Sequence, residues 1–338
     1  MALLALFAGA AATHRRDLAD ATRRVVSLSP GWAGALAGIV VLGVLTDGFF
    51  ASTVTPGLSV RRATMVQQAA TAANNTVIGS GPVSTGLRIA MLRSWQVSDT
   101  SIGLTIVTLN LVASYAVWLV ALGAAILGAA GAASSIVDRR VYVAVIAGAT
   151  VVLGASTWLW WALLCRPGAA RGLAVRGQRL LHAVRRRIPR LVDVDLVAIA
   201  ERSRRDARLL IHAHGHRIVL ASVLEQLAGV AAPVVVVRAF GIPSDVVSTT
   251  AIIVAYGLVR LGAALAPIPG GIGVTELGLA TLLVRFGGPE PAVFAAVVTY
   301  RALTFLLPIL TGGACFVLWR WRRRPLGATG AVAAVHGP

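Results

Sequence analysis

Residues 267–273 read Pro-Ile-Pro-Gly-Gly-Ile-Gly and lie between two long apolar runs. Two prolines and three glycines in seven residues cannot continue a helix. The flanks are too hydrophobic for a loop in water. A helix break at membrane depth survives only where protein or a water-filled cavity surrounds it. A chain with such a break must build a protein-lined interior around it. Glu276 follows by three residues, in the first turn of the next helix. The helix dipole favours a carboxylate there, and the cost of an acid in lipid marks it as functional. Capping its own helix is the plainer role, and the two can coexist.

Apolar runs of about 20 residues recur along the chain, the length that crosses a bilayer as a helix. Mean hydropathy is +0.79 over 338 residues, and 13% are charged. The fold class is therefore an all-α polytopic membrane protein. All 31 basic residues are Arg, giving a formal charge of +18. These Arg sit beside spans, so topology and anionic lipid headgroups explain them, and no nucleic-acid partner is expected. Cys165 and Cys315 have no metal or redox spacing. His212, His214 and His216 alternate without a cysteine or carboxylate partner, so neither a metal nor a cofactor is expected.

In order, residues 1–13 read as a short first span and 14–30 as an Arg/Asp connector. Residues 32–54 form a span carrying Asp47. Residues 63–78 are helical but hold Gln67, Gln68, Asn74 and Asn75, too polar to face lipid all round. Gly79-Ser-Gly-Pro82 breaks that helix, and 83–96 resume it with Arg88 and Arg93. Spans follow at 101–130 and 141–164. Residues 166–217 hold 13 Arg against four acids. Leu180, Leu181, Val184 and Ile188 recur there at helical spacing, as in a basic amphipathic helix lying on the cytoplasmic leaflet. Spans at 218–238 (with Glu225), 247–266 (with Arg260) and 292–318 complete the set. The whole of 1–324 reads as one transmembrane domain and 325–338 as a disordered tail.

A shift of 192 residues superimposes the two glycine breaks. Gly79 falls on Gly271, Gly81 on Gly273, Gly86 on Gly278, Leu87 on Leu279 and Arg93 on Arg285. The repeats run from about 55 to 130 and from about 247 to 320. The positive-inside rule puts 166–217 and the C-terminal Arg cluster in the cytoplasm of a multi-pass cell-membrane protein. Span directions then balance only if 247–286 is a re-entrant hairpin from outside, tipped by Pro269-Gly270-Gly271. By the same logic 63–96 is a re-entrant hairpin from the cytoplasmic side. Inverted repeats with broken helices near the midplane are a transporter architecture.

Pro267 to Glu276, with Tyr300-Arg301-Ala-Leu-Thr-Phe-Leu-Leu-Pro308 after it, resembles the lysylphosphatidylglycerol synthase transmembrane region, also called the flippase-like family. Asn75 to Arg93 is similar to that family's first motif, although the family more often has Pro-Gly-x-Gly-Asp where this chain has Gly79-Ser80-Gly81-Pro82. The resemblance implies a membrane module that moves a lipid across the bilayer. It also implies no aminoacyl-transfer activity for this chain, because the last span is followed by too few residues for the soluble transfer domain.

Glycines at both tips would let backbone approach a headgroup, and the half-helix N-termini would offer amides to phosphate. Arg88, Arg93 and Arg301 are candidate phosphate contacts, and Glu276 and Glu225 are candidates to pair with them or carry protons. Asn74, Asn75, Gly79, Gly81, Pro269, Gly270, Gly271, Gly273 and Tyr300 complete the expected substrate path. The expected substrate is an anionic phospholipid or a polyprenyl-linked intermediate. Two other classes stay open: a scaffold recruiting a cytoplasmic enzyme through 166–217, and a membrane enzyme acting on a headgroup. No acid pair at catalytic spacing and no nucleophile elbow favours the enzyme.

Overall fold

In a computed structural model, the structure describes residues 28–55, 57–76, 80–131, 136–166, 168, 172, 175, 178–179, 196–266 and 268–322. The expectations for residues 1–13, for Gly79, for the amphipathic face from Leu180 to Ile188 and for the tail after 324 fall outside these.

Among the described residues every regular element is helical. They are α1 (Pro30–Val54), α2 (Val60–Thr76), α3 (Ser80–Arg93), α4 (Asp99–Ala130), α5 (Arg139–Cys165) and α6 (Leu196–Ala239). A second series follows: α7 (Thr249–Leu265), a 3₁₀ turn (Pro269–Gly271), α8 (Val274–Arg285), α9 (Glu290–Arg301), a π-helical turn (Ala302–Leu306) and α10 (Leu307–Arg322). Among the described residues five stretches are long and apolar enough to cross a membrane: α1, α4, α5, Arg204–Ala239 of α6, and Glu290–Arg322. Their starts follow from local chemistry. Ser98 caps α4 at the Ser101 amide, Asp138 caps α5 at the Arg140 amide, and Ser248 caps α7 at the Ala251 amide. Pro30 opens α1, where a missing N–H costs nothing.

Two differences from the sequence reading have a clear physical reason. α3 begins at Ser80 rather than residue 83, because the first turn of a helix tolerates Pro82. Residues 196–217 are not a separate surface helix. They continue unbroken into the following span as the first half of the 44-residue α6. The run from Leu196 has no strong helix breaker before Pro233, so the ladder has no reason to stop.

α2 and α3 run out and back. Arg62, at the start of α2, lies over the Trp95 ring just past the end of α3, 5.5 Å from its centroid. Trp319, near the end of α10, donates from Nε1 to Ser94 Oγ at 3.0 Å. α7 and α8 do the same. A Cβ on Gly288, after α8, would lie 3.3 Å from Val247, just before α7.

Packing crosses between the two series. α2 packs most extensively on α10, and α7 on α4, while α1 packs along α6. A Cβ on Gly312 of α10 would overlap the Gln68 carbonyl of α2, and one on Gly257 of α7 would overlap Ala124 of α4. Small residues of this kind let helix backbones approach closely in lipid. The buried apolar side chains form two clusters. One gathers Phe50, Val54, Met91, Leu92 and Ile102 from the first series. The other gathers Ile252, Val254, Leu279, Leu283 and Val293 from the second.

Candidate functional site

The break after α7 is built on three left-handed glycines. Gly270, Gly271 and Gly273 have φ of 63°, 61° and 83°, angles that residues with a Cβ adopt at a cost. Space is restricted as well: a Cβ on Gly270 would overlap the Phe305 ring, and one on Gly271 would sit 2.8 Å from Ala263. Pro269 opens the 3₁₀ turn. The expected tip is therefore a tight turn, and α2 packs against it.

Glu276 divides its two carboxylate oxygens between two partners. Its Oε2 accepts from the Gly273 amide at 2.7 Å, capping α8. Its Oε1 accepts from Arg301 Nε, also at 2.7 Å. Arg301 Nη2 donates to the Gly270 carbonyl at 3.0 Å, and the guanidinium lies 4.7 Å from the Phe305 ring centroid. One arginine thus ties the turn, the cap and the last span together. Its side chain is only 11% exposed and that of Glu276 28%, so removing one partner leaves a charge uncompensated, a loss of about 3–5 kcal/mol. Because Glu276 already occupies the amide end of α8, that end offers less to a phosphate than the sequence suggests.

Phe305 belongs to the π-helical turn, where the Leu307 amide bonds the Ala302 carbonyl. Asn75 Nδ2 donates to the Phe305 carbonyl at 3.4 Å. The end of α2 therefore reaches the middle of the last span. Single π turns of this kind recur at functional sites.

These groups surround a cavity of about 250 Å³. Asn75, Gly270, Tyr300 and Arg301, all candidates from the sequence, line it together with Tyr256 and Arg260. Arg260 Nη1 donates to Tyr256 Oη at 3.0 Å. Arg301 lies 11 residues into the Glu290–Arg322 stretch, or about 17 Å along it at 1.5 Å per residue. Two guanidinium groups, one amide and two phenols face a single space well inside the apolar zone.

The family model for the lysylphosphatidylglycerol synthase transmembrane region matches residues 1–312. The chain belongs to that family. No curated protein and no solved structure matched it. The helices make this family member a multi-pass membrane protein.

Asn74, Gly81, Arg88, Arg93 and Glu225, also expected in this family member, do not line the cavity. Arg93 forms an exposed ion pair with Asp99 at 2.7 Å. Asn74 is exposed on α2. Gly81 lies in the first turn of α3, where a Cβ would meet nothing. Arg88 is on α3 within electrostatic reach of Asp47, and Glu225 is near Asp47 and Arg260 rather than on the cavity wall. Tyr256, Arg260 and Phe305 were missed as site residues. The signal for Arg260 was present, since it is an ionisable residue inside an apolar span. Tyr256 precedes it by one helical turn and could have followed from it. Nothing in the sequence marks the π turn.

Proposed function

We propose that the chain is a flippase-like transporter that moves an anionic lipid, or a lipid-linked anionic intermediate, across the cytoplasmic membrane. The observation that carries this reading is the pair Arg260 and Arg301 facing one cavity deep within the apolar zone. Guanidinium groups bind phosphate oxygens through paired hydrogen bonds, and an ionisable group inside a span is by default a functional one. Asn75, Tyr256 and Tyr300 add neutral donors suited to a hydroxyl-bearing headgroup.

The path to the cavity follows from two re-entrant hairpins of opposite orientation, α2–α3 and α7–α8. Several contacts support this. The open end of the first pair lies at Trp319, near the end of the last span. The open end of the second lies at Gly288, just before that span begins. Both tips reach its middle, through Asn75 on Phe305 and Gly270 beside the same ring. Under the 192-residue shift Arg93 falls on Arg285 and Ala130 on Arg322, so α3 and α8 end together, as do α4 and α10. The reciprocal packing of α2 on α10 and α7 on α4 is what a two-fold relation in the membrane plane requires.

The test uses vesicles of phosphatidylcholine that carry the purified protein and a trace of fluorescent phosphatidylglycerol. Loss of inner-leaflet protection from an impermeant quencher reads flipping. Labelled phosphatidylglycerol should flip faster than labelled phosphatidylcholine, and the double variant Arg260→Ala, Arg301→Ala should fall to the rate of empty vesicles. Equal rates for both lipids, or full rates in the double variant, would remove this cavity from the transport path.

A further inference from the structure

A second group of polar side chains sits inside the spans, and the headgroup cavity does not use it. Asp47 of α1 accepts from Gln67 Nε2 of α2 at 2.7 Å. Gln67 is 7% exposed, and its Oε1 has no partner among the described residues. Arg88 of α3 is within electrostatic reach of Asp47. Gln67 and Arg88, with Thr55 and Thr105, line a small cavity of about 10 Å³, roughly the size that admits one water. From α6, Glu225 is within electrostatic reach of Asp47 and of Arg260 of α7, and a Cβ on Gly229, one turn further along α6, would lie 3.9 Å from Arg260 Nη1. Glu225 makes no hydrogen bond or ion pair among the described residues.

We infer that Asp47 and Glu225 form a proton-binding site linked to headgroup binding through Arg260. This rests on the reading of the Arg260–Arg301 cavity as an anion site. A metal cation would need a shell of oxygen ligands. No group of three or more His, Cys, Asp or Glu gathers among the described residues. A proton needs one carboxylate oxygen. Gln67 serves either state of Asp47. Its amide nitrogen donates to the carboxylate, and with the amide turned over its carbonyl accepts from the acid.

The linkage is electrostatic. With Glu225 and Asp47 ionised, Arg260 has a carboxylate as its counter-charge. With them protonated, Arg260 is left to an anion in the cavity. Headgroup and proton therefore bind with positive coupling, and each raises the affinity for the other by the same factor. A transporter so built can draw on a proton gradient: acid on one side loads the anionic lipid, and proton release on the other frees it.

Purified full-length protein in neutral detergent is titrated with phosphatidylglycerol in mixed micelles, with tryptophan fluorescence as the readout. The phosphodiester stays anionic from about pH 8 to about pH 5, the window in which buried acids and histidines change charge. Affinity of the wild type should rise about tenfold toward acid, within the range usual for coupled sites. Glu225→Gln and Asp47→Asn should flatten the profile, with affinity at the alkaline end close to the wild type's acid value. Should Asp47→Asn fail to fold, Glu225→Gln alone decides. An unchanged slope in the variants would assign the effect to groups other than Asp47 and Glu225 and overturn the proton site. Binding with no pH dependence in the wild type overturns the proton site alone. No binding at any pH overturns it together with the anionic-headgroup reading.

Discussion

Glu276 divides its two oxygens between its own helix and a distant arginine, and the two duties can be separated. Glu276→Gln keeps an oxygen for the Gly273 amide but turns an NH₂ toward Arg301, leaving that guanidinium without its counter-charge. Glu276→Leu loses the cap as well, a further cost of about 1 kcal/mol. Thermal unfolding in detergent should rank wild type above Gln and Gln above Leu, with the Gln step the larger, about 3 kcal/mol. In the vesicle assay at matched insertion, Gln should already lose most activity, because Arg301 also holds the Gly270 carbonyl. Gln close to wild type in both assays would reduce Glu276 to a cap.

At the scale of elements, the fold rests on two glycine seams where helix backbones meet. Gly312→Ala should push α10 from α2, and Gly257→Ala should push α7 from α4, at about 1–3 kcal/mol each for overpacking. Gly313→Ala is the matched control, since a Cβ there meets nothing. Equal melting temperatures for Gly312→Ala and Gly313→Ala would remove the seam. The sequence made the elements legible but not the seams. Span ends fell within a few residues because the apolar runs that mark them begin close to Ser98, Asp138 and Ser248, which cap the helices. The broken turn was legible because Pro269 and the three glycines leave few conformations open. Which of the many glycines touches another helix depends on rotation about the helix axis, and apolar spans facing lipid carry almost no periodicity to reveal it. The continuity of α6 was hidden for a related reason: its hydropathy changes at residue 218 while its backbone does not. Of the site, Asn75, Gly270, Tyr300 and Arg301 were legible from the two motifs. Arg260 and Asp47 were visible as charges in apolar spans, but their partners Tyr256 and Gln67 come into view only through packing.

For the whole molecule, the proposed mechanism requires that the two hairpins open to opposite sides, and α4 provides the yardstick. It has 32 residues, about 48 Å at 1.5 Å per residue, more than the hydrocarbon core of about 30 Å. Its first residue, Asp99, is exposed beside Arg93 at the open end of the first pair, and Asp138 is exposed past its far end. In a background lacking Cys165 and Cys315, cysteine at Asp138 or at Pro243 should react with an impermeant thiol reagent added to intact cells. Cysteine at Asp99 or Arg186 should react only after the membrane is opened. Loss of the Arg93–Asp99 pair should not disturb the result, since exposed pairs contribute about 0–1 kcal/mol. Pro243 lies between α6 and α7, next to the open end of the second pair at Val247 and Gly288. Labelling at Pro243 without labelling at Asp99 would therefore put the two mouths on opposite faces, as alternating access needs. Labelling of Asp99 and Pro243 from the same side would leave both hairpins open to one face. The cavity at Arg260 and Arg301 would then be a one-sided pocket, suited to holding a headgroup for a cytoplasmic partner rather than to carrying it across.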